Sequence, residues 1–195
     1  MNIGLTGGIG CGKSTVLELF KGKGAATFDS DSCVRTLIEE DKALIDDLRR
    51  DFGSTIFAES RKVDRSKLAS IVFSNSKELR KLERLIHPLV RQKWEEEIRT
   101  GHNCLVVEIP LLFEKGLQAS FDFTICVVTE PEQQRQRLER RGWSEEHANQ
   151  RLSQQWSLDK KAELADLVIV NNGSAAHLAE QIDYIFEHIL VPKRD

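Results

Sequence analysis

Eight residues near the start, Gly7-Gly8-Ile9-Gly10-Cys11-Gly12-Lys13-Ser14, constrain this chain more than any other feature. They satisfy G-x-x-x-x-G-K-[ST], the pattern of a loop that wraps phosphate groups. A short apolar run, Ile3 to Leu5, precedes them, and an amphipathic stretch, Val16 to Phe20, follows. The pattern needs a strand before it and a helix after it, and these neighbours predict both. Gly7, Gly10 and Gly12 permit positive φ, so the main chain can curl around oxygen atoms with no Cβ in the way. A helix beginning at Lys13 turns its free N–H groups and positive dipole end to the same anion. Lys13 then reaches the β- and γ-phosphates, and the Ser14 hydroxyl is placed to hold Mg²⁺. Gly8, Cys11 and Thr15 complete the predicted nucleotide contacts.

Five short apolar runs read as buried parallel strands: Ile3–Leu5, Ala26–Phe28, Leu105–Ile109, Phe123–Val128 and Leu167–Val170. Amphipathic helical patterns separate them, which predicts an α/β fold with a parallel five-stranded sheet and helices on both faces. With the phosphate loop, this is a three-layer sandwich of the P-loop NTPase type. Residues 1–30, 101–130 and 164–195 are expected to form the nucleotide-binding core. Residues 31–100 read as a mostly helical insertion carrying substrate contacts, and residues 131–163, rich in Arg and Gln, as a lid. Within the insertion, helical spacing from Leu79 to Ile98 crosses His87-Pro88, where proline is expected to break the ladder.

A length of 195 residues with 40% hydrophobic content suits a compact α/β domain. The net charge of −3 argues against a general nucleic-acid binder. The longest apolar run, Cys104 to Phe113, is interrupted by Glu108 and Pro110, so no membrane span is expected. The chain enters its first strand at once, with no charged segment ahead of an apolar one, and a cytoplasmic location is expected. The four cysteines form no C-x-x-C pair and are read as reduced and structural. Cys11 could have its thiol pKa lowered by the helix start, but reads first as a small side chain filling a loop position.

Further polar clusters fall where such a sheet would put ligands. Asp29-Ser30-Asp31 follows the second strand, at the carboxyl edge of the sheet. One aspartate can cap the next helix while Asp31 acts as general base toward an attacking hydroxyl. Glu108 closes the third strand as a weak candidate for the acid beside Mg²⁺. Arg137 and Arg141, spaced i and i+4, are expected on one helix face, where two guanidinium groups can clamp a transferring phosphoryl group; Arg151 is a third candidate. Asn171 and Gly173, in the loop after the last strand, are candidates to border the nucleotide base. His102, His147, His177 and His188 have no metal-ligand spacing and receive no role.

Taken together, these motifs resemble the dephospho-CoA kinase family over nearly the whole chain. Leu5 to Thr15 is similar to L-T-G-G-I-G-S-G-K-S-T, with Cys11 at the serine position, and Asp29-Ser30-Asp31 to D-A-D. Asp64-Arg65-Ser66-Lys67-Leu68 with Val72-Phe73 resembles D-R-x-x-L…V-F, and Ile86-His87-Pro88 with Arg91 loosely resembles I-x-H-P-x-x-R. Pro110-Leu111-Leu112-Phe113-Glu114 matches P-L-L-F-E. Gln134, Arg137, Leu138 and Arg141 fit Q-x-x-R-L-x-x-R, Arg151 with Gln155 fits R-x-x-x-Q, and Ala165-Asp166 to Asn171 fits A-D-x-x-I-x-N. Arg141-Gly142 departs from the family's R-D or R-N. The resemblance implies ATP-dependent phosphorylation of the ribose 3′-hydroxyl of dephospho-coenzyme A, the last step of coenzyme A synthesis. It makes Asp31 the base and gives Lys13 and the lid arginines the transferring phosphate. It also sets His87, Arg91 and Glu114 near the acceptor within a coenzyme-binding insertion. Two other readings stay open: a kinase of the same fold acting on a nucleoside monophosphate or another small alcohol, and a non-catalytic nucleotide switch. The GTPase motifs N-K-x-D and D-x-x-G are absent from the sequence, which weakens the second.

Overall fold

A computed structural model describes residues 1–190; residues 191–195 of the predicted core, and the His147 side chain, lie outside the described residues. Contacts divide the chain into two compact units. One comprises Met1–Asp29 and the chain from Thr100 onwards, the other Ser30–Arg99.

The first unit is built on five strands: β1 (Asn2–Gly7), β2 (Ala26–Asp29), β3 (Leu105–Glu108), β4 (Phe123–Val128) and β5 (Leu167–Val170). They lie in the order β2-β3-β1-β4-β5, and every pair is parallel. Strands β1, from Ile3, and β3 are buried along their length and mostly apolar, because helices exclude water from both faces. At the edge, β5 exposes Val168 and Val170. Central β1 is flanked by β3 and β4, so chain connections leave it in both directions. That is the place where α/β sheets open a crevice at their carboxyl ends.

Helices α1 (Lys13–Gly22) and α9 (Ala175–Ile185) pack Val16, Phe20, Leu178 and Ile182 on Ile3, Val106, Ile125 and Ile169 in one buried cluster. Ser174 caps α9 by accepting from the His177 N–H. Helices α6 (Pro131–Arg140), α7 (Glu145–Leu152) and α8 (Leu158–Leu164) cover the interval between β4 and β5. Proline stands at the start of α6, where a missing N–H removes no helical bond.

The second unit holds α2 (Ser30–Glu40), α3 (Lys42–Phe52), α4 (Arg65–Ser74) and α5 (Ser76–Arg99). Asp41 caps α3 through the Leu44 N–H, and Asp64 caps α4 through Ser66 and Lys67. The expected break at Pro88 does not occur: α5 runs through it. Proline removes one hydrogen bond, while Ile86, Val90 and Trp94 keep their buried face on both sides of it. No helix among the described residues is long and apolar enough to cross a membrane.

Candidate active site

The loop between β1 and α1 has the shape its sequence predicts. A Gly8–Cys11 turn is closed by a bond from the Cys11 N–H to the Gly8 carbonyl at 3.2 Å. Gly12 has φ 91°, and a Cβ there would stand 2.3 Å from Asn171 Nδ2, so the position admits only glycine. Gly12 also caps α1 with no side chain, which leaves the first-turn N–H groups for a ligand. Lys13 is buried and lies back along the loop, its Nζ donating to the Gly8 carbonyl at 3.1 Å and standing 3.8 Å from Glu108 Oε1. Glu108 thus ends β3 beside the loop lysine. Ser14 and Thr15 are exposed on the first turn. Burial pushes the Cys11 thiol above its ordinary pKa, against the pull of Lys13, so Cys11 is packing and not an activated thiol.

Helix α6 comes against this loop. The Arg137 guanidinium donates to the Asn171 carbonyl at 2.8 Å and the Cys11 carbonyl at 3.4 Å, so it bridges the phosphate loop and the β5–α9 turn. Asn171 Nδ2 reaches the same Cys11 carbonyl at 2.8 Å. Asn172 Oδ1 accepts from Thr129 Oγ1 and from the Glu130 N–H, which fastens that turn to the start of α6. Arg137 and Gly173 line one cavity of about 500 Å³ with Gln133 and Arg140. A second, of about 550 Å³, lies between Gly8, Gln134, Gln155 and Leu158.

Arg141 falls one residue beyond the end of α6, as the residue that caps it, and is exposed. Gly142 takes φ 78° there. Its N–H bonds the Glu139 carbonyl while the Trp143 N–H bonds that of Leu138, a helix stop that needs a left-handed residue. This accounts for glycine where an acid or amide was expected. Arg151 lies on α7 with its guanidinium 5.7 Å from the Trp143 ring centre.

Glu114 is engaged from within its own unit. Its Oε1 accepts from Lys161 Nζ and from the Trp156 N–H, each at 2.9 Å. Oε2 is buried without a hydrogen-bond partner among the described residues. Lys161 is fully buried and also donates to the Pro110 carbonyl at 2.7 Å. Burial pulls the Lys161 pKa down, and Glu114 opposes that shift.

The second unit carries its own set. Asp31 is exposed in the first turn of α2, inside the helix and not ahead of it. His87 and Arg91 are exposed one turn apart on α5, and Arg91 Nε bonds Glu95 Oε1 at 2.7 Å.

The family profile for dephospho-CoA kinase (CoaE) matches residues 1–177. This chain belongs to the dephospho-CoA kinase family. The dephospho-CoA kinase of Syntrophus aciditrophicus (strain SB) is 38% identical over 200 aligned positions, covering 100% of this chain and 85% of the relative. Among solved structures, TT1252 from Thermus thermophilus shares 32% identity at a TM-score of 0.80, covering 97% of each chain. A dephospho-CoA kinase from Campylobacter jejuni shares 27% at 0.71, covering 96% of each. The fold is therefore that of the P-loop kinases, as the sequence predicts.

Within a dephospho-CoA kinase frame, the structure gathers Gly8, Gly10, Cys11, Gly12, Lys13, Arg137 and Asn171 around one loop. Lys161 is the residue that sequence reasoning missed. A lysine inside Leu158-Asp159-Lys160-Lys161-Ala162 reads as solvated, and its one signal is helical spacing shared with Leu158 and Ala165.

Proposed function

We propose that this kinase transfers the γ-phosphoryl group of ATP to the ribose 3′-hydroxyl of dephospho-coenzyme A, releasing ADP and coenzyme A. The observation that carries the reading is the uncapped start of α1 behind Gly12, with Lys13 poised between the Gly8 carbonyl and Glu108. The loop amides hold the β-phosphate, and Lys13 leaves the Gly8 carbonyl for the stronger acceptor that a phosphate oxygen offers. Arg137, braced by two carbonyls, keeps its charge toward the nucleotide side. Asn171 and Gly173 border the base. Asp31 takes the proton of the acceptor hydroxyl as its oxygen forms a bond to the γ-phosphorus and the bond to the β–γ bridging oxygen breaks. His87 and Arg91 bind the acceptor, whose phosphates suit an arginine, and Glu114 lies on the acceptor side. Arg141 closes over the transferring group from the lid, residues 131–163.

An exposed serine hydroxyl and a buried carboxylate are hard oxygen donors, which fit Mg²⁺ better than a soft metal. Ser14 would hold the ion, with Glu108 behind it, and the ion would neutralise charge on the phosphates. On this reading the enzyme works in the cytosol on a small anionic substrate. No nucleic acid or membrane partner is required.

The test is ADP release with ATP and dephospho-coenzyme A, against AMP, CMP and shikimate as rival acceptors. Transfer to dephospho-coenzyme A is expected to exceed the others in kcat/KM. The Lys13→Ala variant, folded by circular dichroism, is expected to lose at least about 100-fold in turnover, the scale of one lost transition-state donor. Near-normal turnover would remove the loop from the mechanism.

A further inference from the structure

One residue of the phosphate loop, Ile9, is held by two glutamines from the region after β4. In a turn closed by its first carbonyl and fourth N–H, the peptide groups of the second residue point away and need other partners. Ile9 occupies that second position in the Gly8–Cys11 turn. Its N–H donates to Gln155 Oε1 at 3.3 Å, and its carbonyl accepts from Gln134 Nε2 at 2.6 Å. Gln134 is buried on α6 and also lies 3.7 Å from Cys11 Sγ. Gln155 follows the end of α7. A Cβ on Gly8 would come within 2.9 Å of Gln134 Nε2, so the loop and this amide are in close contact.

The two glutamines bracket residues 135–154, the greater part of the predicted lid. Chain entering that segment and chain leaving it are tied to the two successive peptide groups that flank Ile9. We propose that Gln134 and Gln155 are positioning residues that hold the phosphate loop in its anion-binding shape and tie that shape to the placement of the lid. This rests on the kinase reading above. Neither side chain has to touch substrate; both act through Ile9. Any displacement of the segment that lengthens one bond leaves a loop peptide group unsatisfied, so loop order and lid position change together. The two amides do opposite work: position 155 must accept, and position 134 must donate.

That opposition supplies the test. Affinity for a non-hydrolysable ATP analogue is measured by calorimetry, and KM for ATP and for dephospho-coenzyme A by steady-state assay, with melting temperatures beside them. Gln134→Leu and Gln155→Leu are expected to weaken analogue affinity about tenfold each, as for one lost hydrogen bond, and to raise KM for ATP more than KM for the acceptor. Gln155→Glu keeps an acceptor oxygen and is expected to restore affinity to within about twofold of the parent. Gln134→Glu has no donor at pH 8 and sets a carboxylate against a carbonyl, so it is expected to be at least as impaired as Gln134→Leu. The proposal is overturned if Gln155→Glu is as weak as Gln155→Leu, or if both leucine variants bind the analogue like the parent. A uniform loss of affinity that follows melting temperature across all four would equally overturn it, because that is what a merely structural role produces. Calorimetry needs no acceptor, so failure of the parent to phosphorylate dephospho-coenzyme A would sink the functional reading and leave this measurement valid.

Discussion

At the scale of single residues, the phosphate loop is determined by what cannot be added to it. Gly12 combines a left-handed backbone with a side-chain amide pressed against the place a Cβ would occupy. A Gly12→Ala variant must move Asn171, and Asn171 Nδ2 donates to the Cys11 carbonyl, as does Arg137. The expected result is a loss of about 1–3 kcal/mol in urea unfolding, from strain and a broken contact. ATP binding should fall below detection, because the loop and the Arg137 bridge shift together. An alanine variant that binds ATP with parental affinity would show that the contact is dispensable. The glycine and lysine spacing was legible in the sequence because it obeys a local rule. The Ile9 bonds were not, because they join positions far apart along the chain.

At the scale of elements, the strands were legible for the same reason that they are buried. Parallel strands covered on both faces are short apolar runs, as in β4; β5 keeps that composition although its edge exposes Val168 and Val170, and both begin and end where the pattern predicts. Helix α5 was misjudged at Pro88, since a single missing N–H weighs less than a continuous apolar face. The α8 anchor was invisible, since charge in a sequence reads as surface. Lys161 on α8 holds Glu114, and Glu114 also receives the N–H of Trp156 just ahead of that helix. A largely buried ion pair punishes the loss of one partner more than the loss of both. Lys161→Met is therefore expected to destabilise by about 3–5 kcal/mol, with Glu114 left uncompensated. Adding Glu114→Leu should recover much of that loss. Urea denaturation of the two single variants and the double gives the coupling directly, and strictly additive losses would show that the pair is not coupled.

At the scale of the whole molecule, alternating strands and helices determined the fold class but not the strand order β2-β3-β1-β4-β5, which rests on pairings between distant segments. Two compact units were likewise not readable as contacts, only as an uneven interval between strands. What the assembled core does to its thiols appears in no local motif. Cys126 lies in β4 with no exposure, and burial pushes its pKa up from 9.0 to about 12; Cys11 and Cys104 are raised by the same cause. A thiol that stays protonated when folded but ionises when unfolded stabilises the fold fully below about pH 9. That contribution drains away as pH rises toward the folded value near 12. Lys161 works in the opposite sense, because its folded pKa is depressed and its contribution grows as pH rises through that value. Three raised thiols against one depressed lysine predict a net fall in the urea midpoint between about pH 9 and pH 11. Cys126→Ala should start from a lower midpoint, having lost packed volume, and then decline less steeply. A parent midpoint that holds level or rises across that range would mean that the thiols do not outweigh Lys161, and an unchanged slope in Cys126→Ala would mean that Cys126 ionises as readily inside the fold as outside it.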